Sequence, residues 1–167
     1  MKKILILAVV ASLFAASSAM AQTKMGVVDI QKAVRESNAG KKAQEELNKL
    51  QESYNAKLQP MRDEISKMEQ EYITQEKALT DAAKKSRLEA MQAKAMEFDT
   101  QAKTYSSEFQ KKEGELMSKI FKDLEEVVNT VGKEGKYDAI FFHQAIMYGP
   151  NIKDLTDEVI KKYNSKK

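Results

Sequence analysis

The side chains that most often perform catalysis or bind metals are scarce in this sequence. It contains one histidine, His143, and no cysteine. A catalytic or metal site requires several such groups close together, and a single imidazole does not supply them. His143 lies in a predicted turn, where we interpret it as an ordinary surface residue. The sequence therefore predicts no metal site.

Glycine spacing gives no indication of a nucleotide site. The segment GKEGK at 132–136 has the spacing of neither G-x-x-x-x-G-K-[ST] nor G-x-G-x-x-G, the two loops that cradle phosphates. Most carboxylates lie three or four residues from a lysine, as Glu45 does from Lys49, which is typical of ion pairs on solvated helices. We expect neither an enzyme nor a bound cofactor.

Residues 1–21 are predicted to be a signal peptide. Two lysines precede the apolar run of 4–16, and Ala19-Met20-Ala21 matches a cleavage site. A membrane anchor is the alternative, but this run is shorter than the roughly 20 residues that span a bilayer. No cysteine follows it, which excludes lipoprotein processing and any disulfide. We expect export, with cleavage near Ala21.

The charge of the exported chain is close to neutral. The full sequence carries a net charge of +3, but without Lys2 and Lys3 there are 26 basic against 25 acidic residues. Nucleic-acid-binding domains are usually strongly basic. The charge therefore argues against a nucleic-acid partner.

Three segments follow the leader. Residues 22–37 contain KMGVVDI at 24–30, a predicted strand, and a brief helix at 31–37 before an N-cap at Ser37 or Asn38. Residues 38–131 are rich in Gln, Glu, Lys, Ala and Leu, a composition typical of long helices. Residues 132–167 contain a predicted strand–turn–strand, YDAIFFHQAIMYGPN at 137–151, and a last helix capped by Asp154.

Heptad spacing of apolar residues predicts that the long helical segment is a coiled coil. We call these residues the arm seam: Tyr54, Leu58, Met61, Ile65, Met68, Tyr72 and Leu79, then Leu88, Met91, Ala95, Phe98, Ala102, Tyr105, Phe109 and Leu116. If the chain reverses within 79–87, residues whose numbers sum to about 160 face each other in apolar layers. Thr80 and Asp81 can end one helix and cap the next. One continuous rod is the alternative.

Several residues of the arm are candidates for function. Pro60 interrupts the helical hydrogen bonding and is either a tolerated defect or a flexing point. Lys84, Lys85 and Arg87 form a basic cluster at the predicted tip, which is either simply solvated or contacts anionic lipid headgroups or acidic client segments. Apolar residues off or at the margin of the arm seam are available for client contact: Ile73, Met96 and Phe121.

The order and length of these elements resemble the Skp/OmpH family of periplasmic chaperones. The resemblance rests on KMGVVDIQKAV, on the helical arms and on YDAIFFHQAIMYGPNIKDLTDEVIKKY, whose IKDLTDEVIKKY is similar to the family's V-K-D-I-T-x-x-V-L-K pattern. It implies an α+β fold in which a long antiparallel coiled-coil hairpin projects from a small β-body built from both chain ends. It also implies a homotrimer that holds unfolded outer-membrane β-barrel proteins between its arms, without ATP.

A trimer would solve a problem that the predicted strands raise. Two or three short strands leave open edges, and AIFF at 139–142 is apolar on both faces. Joining copies around a threefold axis covers both. The residues expected in this trimer body are Val27, Val28, Ile140, Phe141, Phe142 and Ile146.

The arms depart from the strongly basic members of that family. Residues 39–131 contain 16 basic and 18 acidic residues, so strong electrostatic capture of clients is not expected. Two other classes stay open: a structural adaptor or spacer with one defined partner, and an amphipathic protein of the membrane surface. The narrow heptad pattern argues against the second, because surface helices carry a wide apolar face.

Overall fold

The computed structural model describes residues 23–166, so the predicted signal peptide lies outside the described residues. Within them, no helix is both long enough and apolar enough to cross a membrane. The elements in chain order are β1 (Met25–Val28), α1 (Ile30–Glu36), α2 (Asn38–Gln75), a 3-10 turn (Glu76–Ala78), α3 (Asp81–Gly135), β2 (Ala139–Phe142), a second 3-10 turn (His143–Ala145), β3 (Lys153–Asp154) and α4 (Thr156–Ser165).

Helices α2 and α3 pack antiparallel and form the arm, which excludes the continuous rod. Tyr54 stacks on Tyr105 with ring centroids 4.4 Å apart. Farther out, the Lys94 ammonium lies 3.2 Å from the Glu64 carboxylate. Both pairs have numbers summing to 158 or 159, which matches the predicted register. Helix α2 runs through Pro60 without interruption, and flexing at this residue stays a prediction.

The arm reverses slightly earlier than predicted. Helix α2 ends at Gln75, and residues 76–80 make the turn, whereas the predicted range began at 79. The N-terminal cap is where the sequence placed it, because the Thr80 hydroxyl accepts a hydrogen bond from the Ala83 amide at 3.3 Å. At the other end α3 continues to Gly135, and Lys136 terminates it in the left-handed conformation with a φ of 53°.

The arm seam is half-buried over most of its length, since two helices alone cannot enclose their shared face. Apart from Tyr54, burial becomes complete only at the base, where α1 and α4 also pack against the arm. The core there comprises Ala43, Leu47, Ile120, Leu124, Val127, Val131, Leu155 and Val159. The arm is therefore anchored by its base and held along its length by a thinner apolar contact.

Of the predicted strand–turn–strand at 137–151, the first strand is confirmed as β2, and the second strand and the pairing of the two are wrong. Strands β2 and β3 do not pair with each other; both pair in parallel with β1, in the order β2-β1-β3. The long connection that a parallel pair needs is supplied for β1 and β2 by α1 and the arm. Residues 143–152 connect β2 to β3, starting with the second 3-10 turn and continuing past Gly149 and Pro150 without a strand. The second strand is the short Lys153–Asp154.

Strand β1 occupies the centre of the sheet, and its last three residues are buried. Gly26 makes room for the buried Leu155 side chain, which a Cβ at this position would displace. The sheet is thus closed on one side by α4 and the arm base. Its two outer strands, β2 and β3, are both edges within the single chain.

Candidate assembly and binding surfaces

A hydrogen-bond network locks β1 to β3 and α4. The Asp29 amide donates to the Thr156 hydroxyl at 2.9 Å, and that hydroxyl donates to the Asp154 carboxylate at 2.5 Å. Asp154 also accepts from the amide of Thr156, the first residue of α4, but the N-cap position is Leu155 and not Asp154 as the sequence predicted. These hydrogen bonds from Thr156 lower the pKa of Asp154. The network therefore holds the end of β1, the end of β3 and the start of α4 together.

An apolar groove opens between β2 and the base of α3. We call it the body groove; its volume is about 670 Å³, and its apolar lining includes Val28, Phe121, Val128, Ile140, Phe141 and Phe142. Phe142 is 64% exposed and Phe121 is 50% exposed, although both are large and apolar. Such a patch on a small body is typical of an interaction site.

The residues predicted for the trimer body divide into two groups. Val27 and Val28 are already buried by their own chain. Ile140 and Ile146 are half-buried, and Phe141 and Phe142 are exposed. Only the second group has surface left to offer to another molecule, and its role in a trimer stays a prediction.

Phe121 belongs with the body and not with the arm contacts among which the sequence placed it. It lies on α3, but it lines the body groove together with Phe141 and Phe142. The heptad pattern does not show which part of α3 packs beside β2, so the proximity of Phe121 to Phe141 and Phe142 was not predictable. Ile73 and Met96 are exposed at separate positions, one near the tip and one partway along α3.

The three basic residues of the tip lie in the first two turns of α3. Lys85 is 3.9 Å from Glu89, a loose ion pair on an exposed surface. Within residues 23–166, no carboxylate lies within ion-pair distance of Lys84 or Arg87. Contact of this cluster with lipid or client stays a prediction.

Sequence reasoning missed two exposed residues in the connection after β2. Met147 is fully exposed at 103%, and Tyr148 is 84% exposed. The sequence analysis placed both residues in the expected second strand, where apolar side chains are ordinary. The Gly149-Pro150 pair that follows them is a loop signal and could have indicated their exposure.

Tyrosines brace the arm at two levels. The Tyr54 hydroxyl donates to Glu108 at 2.9 Å, and burial together with this bond raises the pKa of Tyr54. At the base, the Tyr163 hydroxyl lies 3.3 Å from Asp123. Burial first and the Asp123 carboxylate second raise the pKa of Tyr163 to about 12. Both phenols are therefore structural donors at neutral pH.

Among residues 23–166, no group of three or more His, Asp or Glu side chains is placed to hold a metal ion. What the described chain does offer is a long two-helix arm, a small parallel sheet and an uncovered apolar groove. These features define the class of protein in which a long antiparallel coiled-coil arm projects from a small α+β body.

The chain belongs to the OmpH-like family of outer membrane proteins, whose family model matches residues 24–163. It is similar to the chaperone protein Skp of Yersinia enterocolitica, with 23% identity over 96% of this chain and 98% of the relative. It is also similar to the Skp of Pectobacterium atrosepticum, with 24% identity over 89% and 90% of the two chains. An uncharacterized protein of Aquifex aeolicus is 27% identical over 80% of this chain and 82% of its own.

A solved structure supports the fold. The OmpH-like protein of Caulobacter crescentus superimposes with a TM-score of 0.74 at 20% identity, over 84% of this chain and 83% of the other. The recognition of this family from the sequence is confirmed. The protein is a member of a family of outer membrane chaperones.

Proposed function

We propose that this protein is a periplasmic holdase that binds unfolded outer-membrane β-barrel proteins and prevents their aggregation without ATP. The observation that carries the proposal is the arm: α2 and α3 pack against each other along the arm seam and project well beyond the body. With a rise of about 1.5 Å per residue, the 38 residues of α2 correspond to about 57 Å. An arm of this length can enclose a chain that has not yet folded.

A homotrimer is the second part of the proposal. One arm has no opposite wall, whereas three arms around an axis would surround a cavity. The exposed apolar residues of the body and the two free sheet edges are the surfaces that such an assembly would cover. The signal peptide expected at residues 1–21 places the protein in the periplasm, between the membrane where clients enter and the one where they insert.

Enclosure and apolar contact carry the client binding in this proposal, because the arms are close to neutral. Ile73 and Met96 are exposed apolar side chains on the arm. Methionine adapts its shape to varied partners, which suits clients of unrelated sequence.

Lys84, Lys85 and Arg87 at the tip are the proposed contact for anionic lipid headgroups. Equal flotation of the protein with neutral and with anionic vesicles would contradict that role.

Light scattering tests the holdase. A urea-unfolded outer-membrane barrel is diluted into buffer with and without the protein lacking residues 1–21. We expect scattering to fall as the protein is added and to be abolished near one trimer per client. Scattering that is unchanged by the protein would contradict the proposal. Pull-down of a single folded partner, with no unfolded barrel retained, would instead favour the adaptor.

A further inference from the structure

Both helices of the arm carry a helix-weakening feature. In α2 this feature is Pro60, which has no amide hydrogen and leaves the Ala56 carbonyl without its usual intrahelical donor. In α3 it is a pair of threonines one turn apart. The Thr100 hydroxyl donates to the Met96 carbonyl at 2.8 Å, and the Thr104 hydroxyl donates to the Thr100 carbonyl at 3.0 Å. Such bonds compete with the backbone hydrogen bonds and often bend a helix.

The register of the arm places these features at the same level. The two cross-helix pairs that define the register, the tyrosine stack and the outer ion pair, have numbers that sum to 159 and 158. Pro60 therefore lies opposite residues 98–99 of α3, beside Thr100. The two smallest residues of the arm seam, Ala95 and Ala102, flank this level. Less apolar surface holds the two helices together there than elsewhere along the arm seam.

Firmer contacts between the helices lie on either side of this level. On the body side, Tyr54 stacks on Tyr105, and the Lys57 ammonium lies 5.3 Å from the Tyr105 ring centroid. On the tip side, the Lys94 ammonium of α3 lies 3.2 Å from the Glu64 carboxylate of α2. The weakened level is thus bounded by one cross-helix contact towards the body and another towards the tip.

We propose that the arm bends at this level, which we call the arm pivot: residues 56–60 of α2 and 96–104 of α3. The inner arm, up to the tyrosine stack, stays fixed to the body. The outer arm, from the ion pair to the tip, moves as one unit. Across the arm pivot the Arg62 guanidinium lies 5.6 Å from the Phe98 ring centroid, an attraction that does not require one hydrogen-bond geometry.

The arm pivot needs both helices, because two packed helices bend together only where each of them can bend. The sequence pattern singled out Pro60 alone, since a threonine in a helix is ordinary until its hydroxyl is placed on the carbonyl four residues earlier. The inference rests on the proposed holdase for its use, though not for its geometry. An outer arm that moves while the inner arm stays fixed can close on a bound client.

The distance between two spin labels tests the arm pivot. The natural chain has no cysteine, so Gln92→Cys and Gln110→Cys give the only attachment sites. Both residues are exposed. They lie 18 residues apart (110 − 92) on one side of α3, which is about five turns and about 27 Å in a straight helix. A swing of about 20° towards the labelled side shortens this distance by about 3 Å, and a swing the other way lengthens it. Labelled chains are diluted with unlabelled ones, so that only distances within one chain are measured.

The comparison variant carries Pro60→Ala, Thr100→Ala and Thr104→Ala, which restore regular backbone hydrogen bonding and favour the helix. We expect the spread of label distances to fall by about half in this variant, because the arm no longer bends between the labels. Thr130→Ala is the matched control. The Thr130 hydroxyl also donates to a carbonyl four residues earlier, that of Glu126 at 2.8 Å, but at the arm base. Its removal should leave the spread unchanged.

The measurement needs no client, so it separates the arm pivot from the proposed function. A natural chain whose spread is as narrow as that of the triple variant overturns the inference and leaves the chaperone proposal standing. A triple variant whose spread is as broad as that of the natural chain places the bending elsewhere, which also overturns it. A narrowed triple variant, together with a natural chain that does not suppress client aggregation, supports the arm pivot and contradicts the proposed function alone.

Discussion

At the scale of single residues, the body depends on close approaches that leave no room for a side chain. Gly40 lies in the first turn of α2, where a Cβ would collide with the Val34 carbonyl at the end of α1. Gly114 is also helical, but a Cβ there would meet nothing within 4 Å. The two glycines therefore have opposite structural roles, which the sequence alone does not reveal.

Substituting these two glycines by alanine should change stability in opposite directions. Gly114→Ala should stabilise the protein by about 0.5–1 kcal/mol, because glycine loses more backbone entropy in a helix than alanine does. Gly40→Ala should destabilise it by about 1–3 kcal/mol, the usual cost of overpacking. Urea denaturation followed by circular dichroism measures both. Two stabilised variants would show that α1 and α2 are not packed as described.

Tyr163 provides a pH-dependent measure of the arm base. An unfolded tyrosine titrates near 10, and in the folded protein the pKa of Tyr163 is raised to about 12. Its contribution to stability is therefore complete below pH ~10 and is lost as the pH rises through about 12.

We expect Asp123→Asn to lower the pKa of Tyr163 while leaving it above the ordinary value, because burial is the larger cause. Phenolate absorbance, with Tyr163→Phe as the reference, reports this pKa. A pKa that does not move in Asp123→Asn would mean that the Tyr163 hydroxyl does not contact this carboxylate.

At the scale of elements, the arm and the strands β1 and β2 were predictable from sequence, and the pairing of the strands was not. The heptad spacing and the complementary sizes of facing residues placed Tyr54 opposite Tyr105, because coiled-coil contacts repeat locally and many times. The partner of β2 lies far away in sequence, with Met25 paired to Ala139, and nothing local identifies it. The apolar residues of AIFF at 139–142 and of AIM at 145–147 have equally high strand propensity. The sequence therefore predicted a strand at Met147, where the structure has a loop.

Shortening the arm in register should separate assembly from client protection. Deleting residues 55–68 and 91–104 removes two heptads from each helix and preserves the Tyr54–Tyr105 stack and the turn at 76–80. The arm loses about 21 Å at ~1.5 Å per residue. We expect the same number of chains per particle in sedimentation, with client aggregation no longer prevented in light scattering. Full protection by the shortened arm would contradict enclosure by the arms.

At the scale of the whole molecule, a single chain leaves apolar surface exposed. Its arm seam is half-buried over most of its length, and its body leaves both sheet edges and the body groove open. The sequence predicted that Phe141 and Phe142 would lie at a joint between copies, and the exposure of both side chains agrees with that role without establishing it. Val27 and Val28, predicted for the same joint, are buried within their own chain.

Charged substitutions in the body should dissociate the trimer without unfolding the arm. We expect Phe141→Asp with Phe142→Asp to give a monomer whose far-UV circular dichroism stays that of long helices, since the arm seam is untouched. Burying a carboxylate in an apolar joint is strongly unfavourable. Met96→Asp, on the exposed arm, is the matched control and should remain trimeric. Survival of the trimer in the double variant would show that the joint lies elsewhere.

Native mass spectrometry of the protein lacking residues 1–21, mixed with an unfolded outer-membrane barrel, tests the proposed chaperone, because one spectrum counts both components. We expect a complex of three chains and one client, alongside a free trimer. A spectrum of monomers, or of trimers that retain no client, would contradict it.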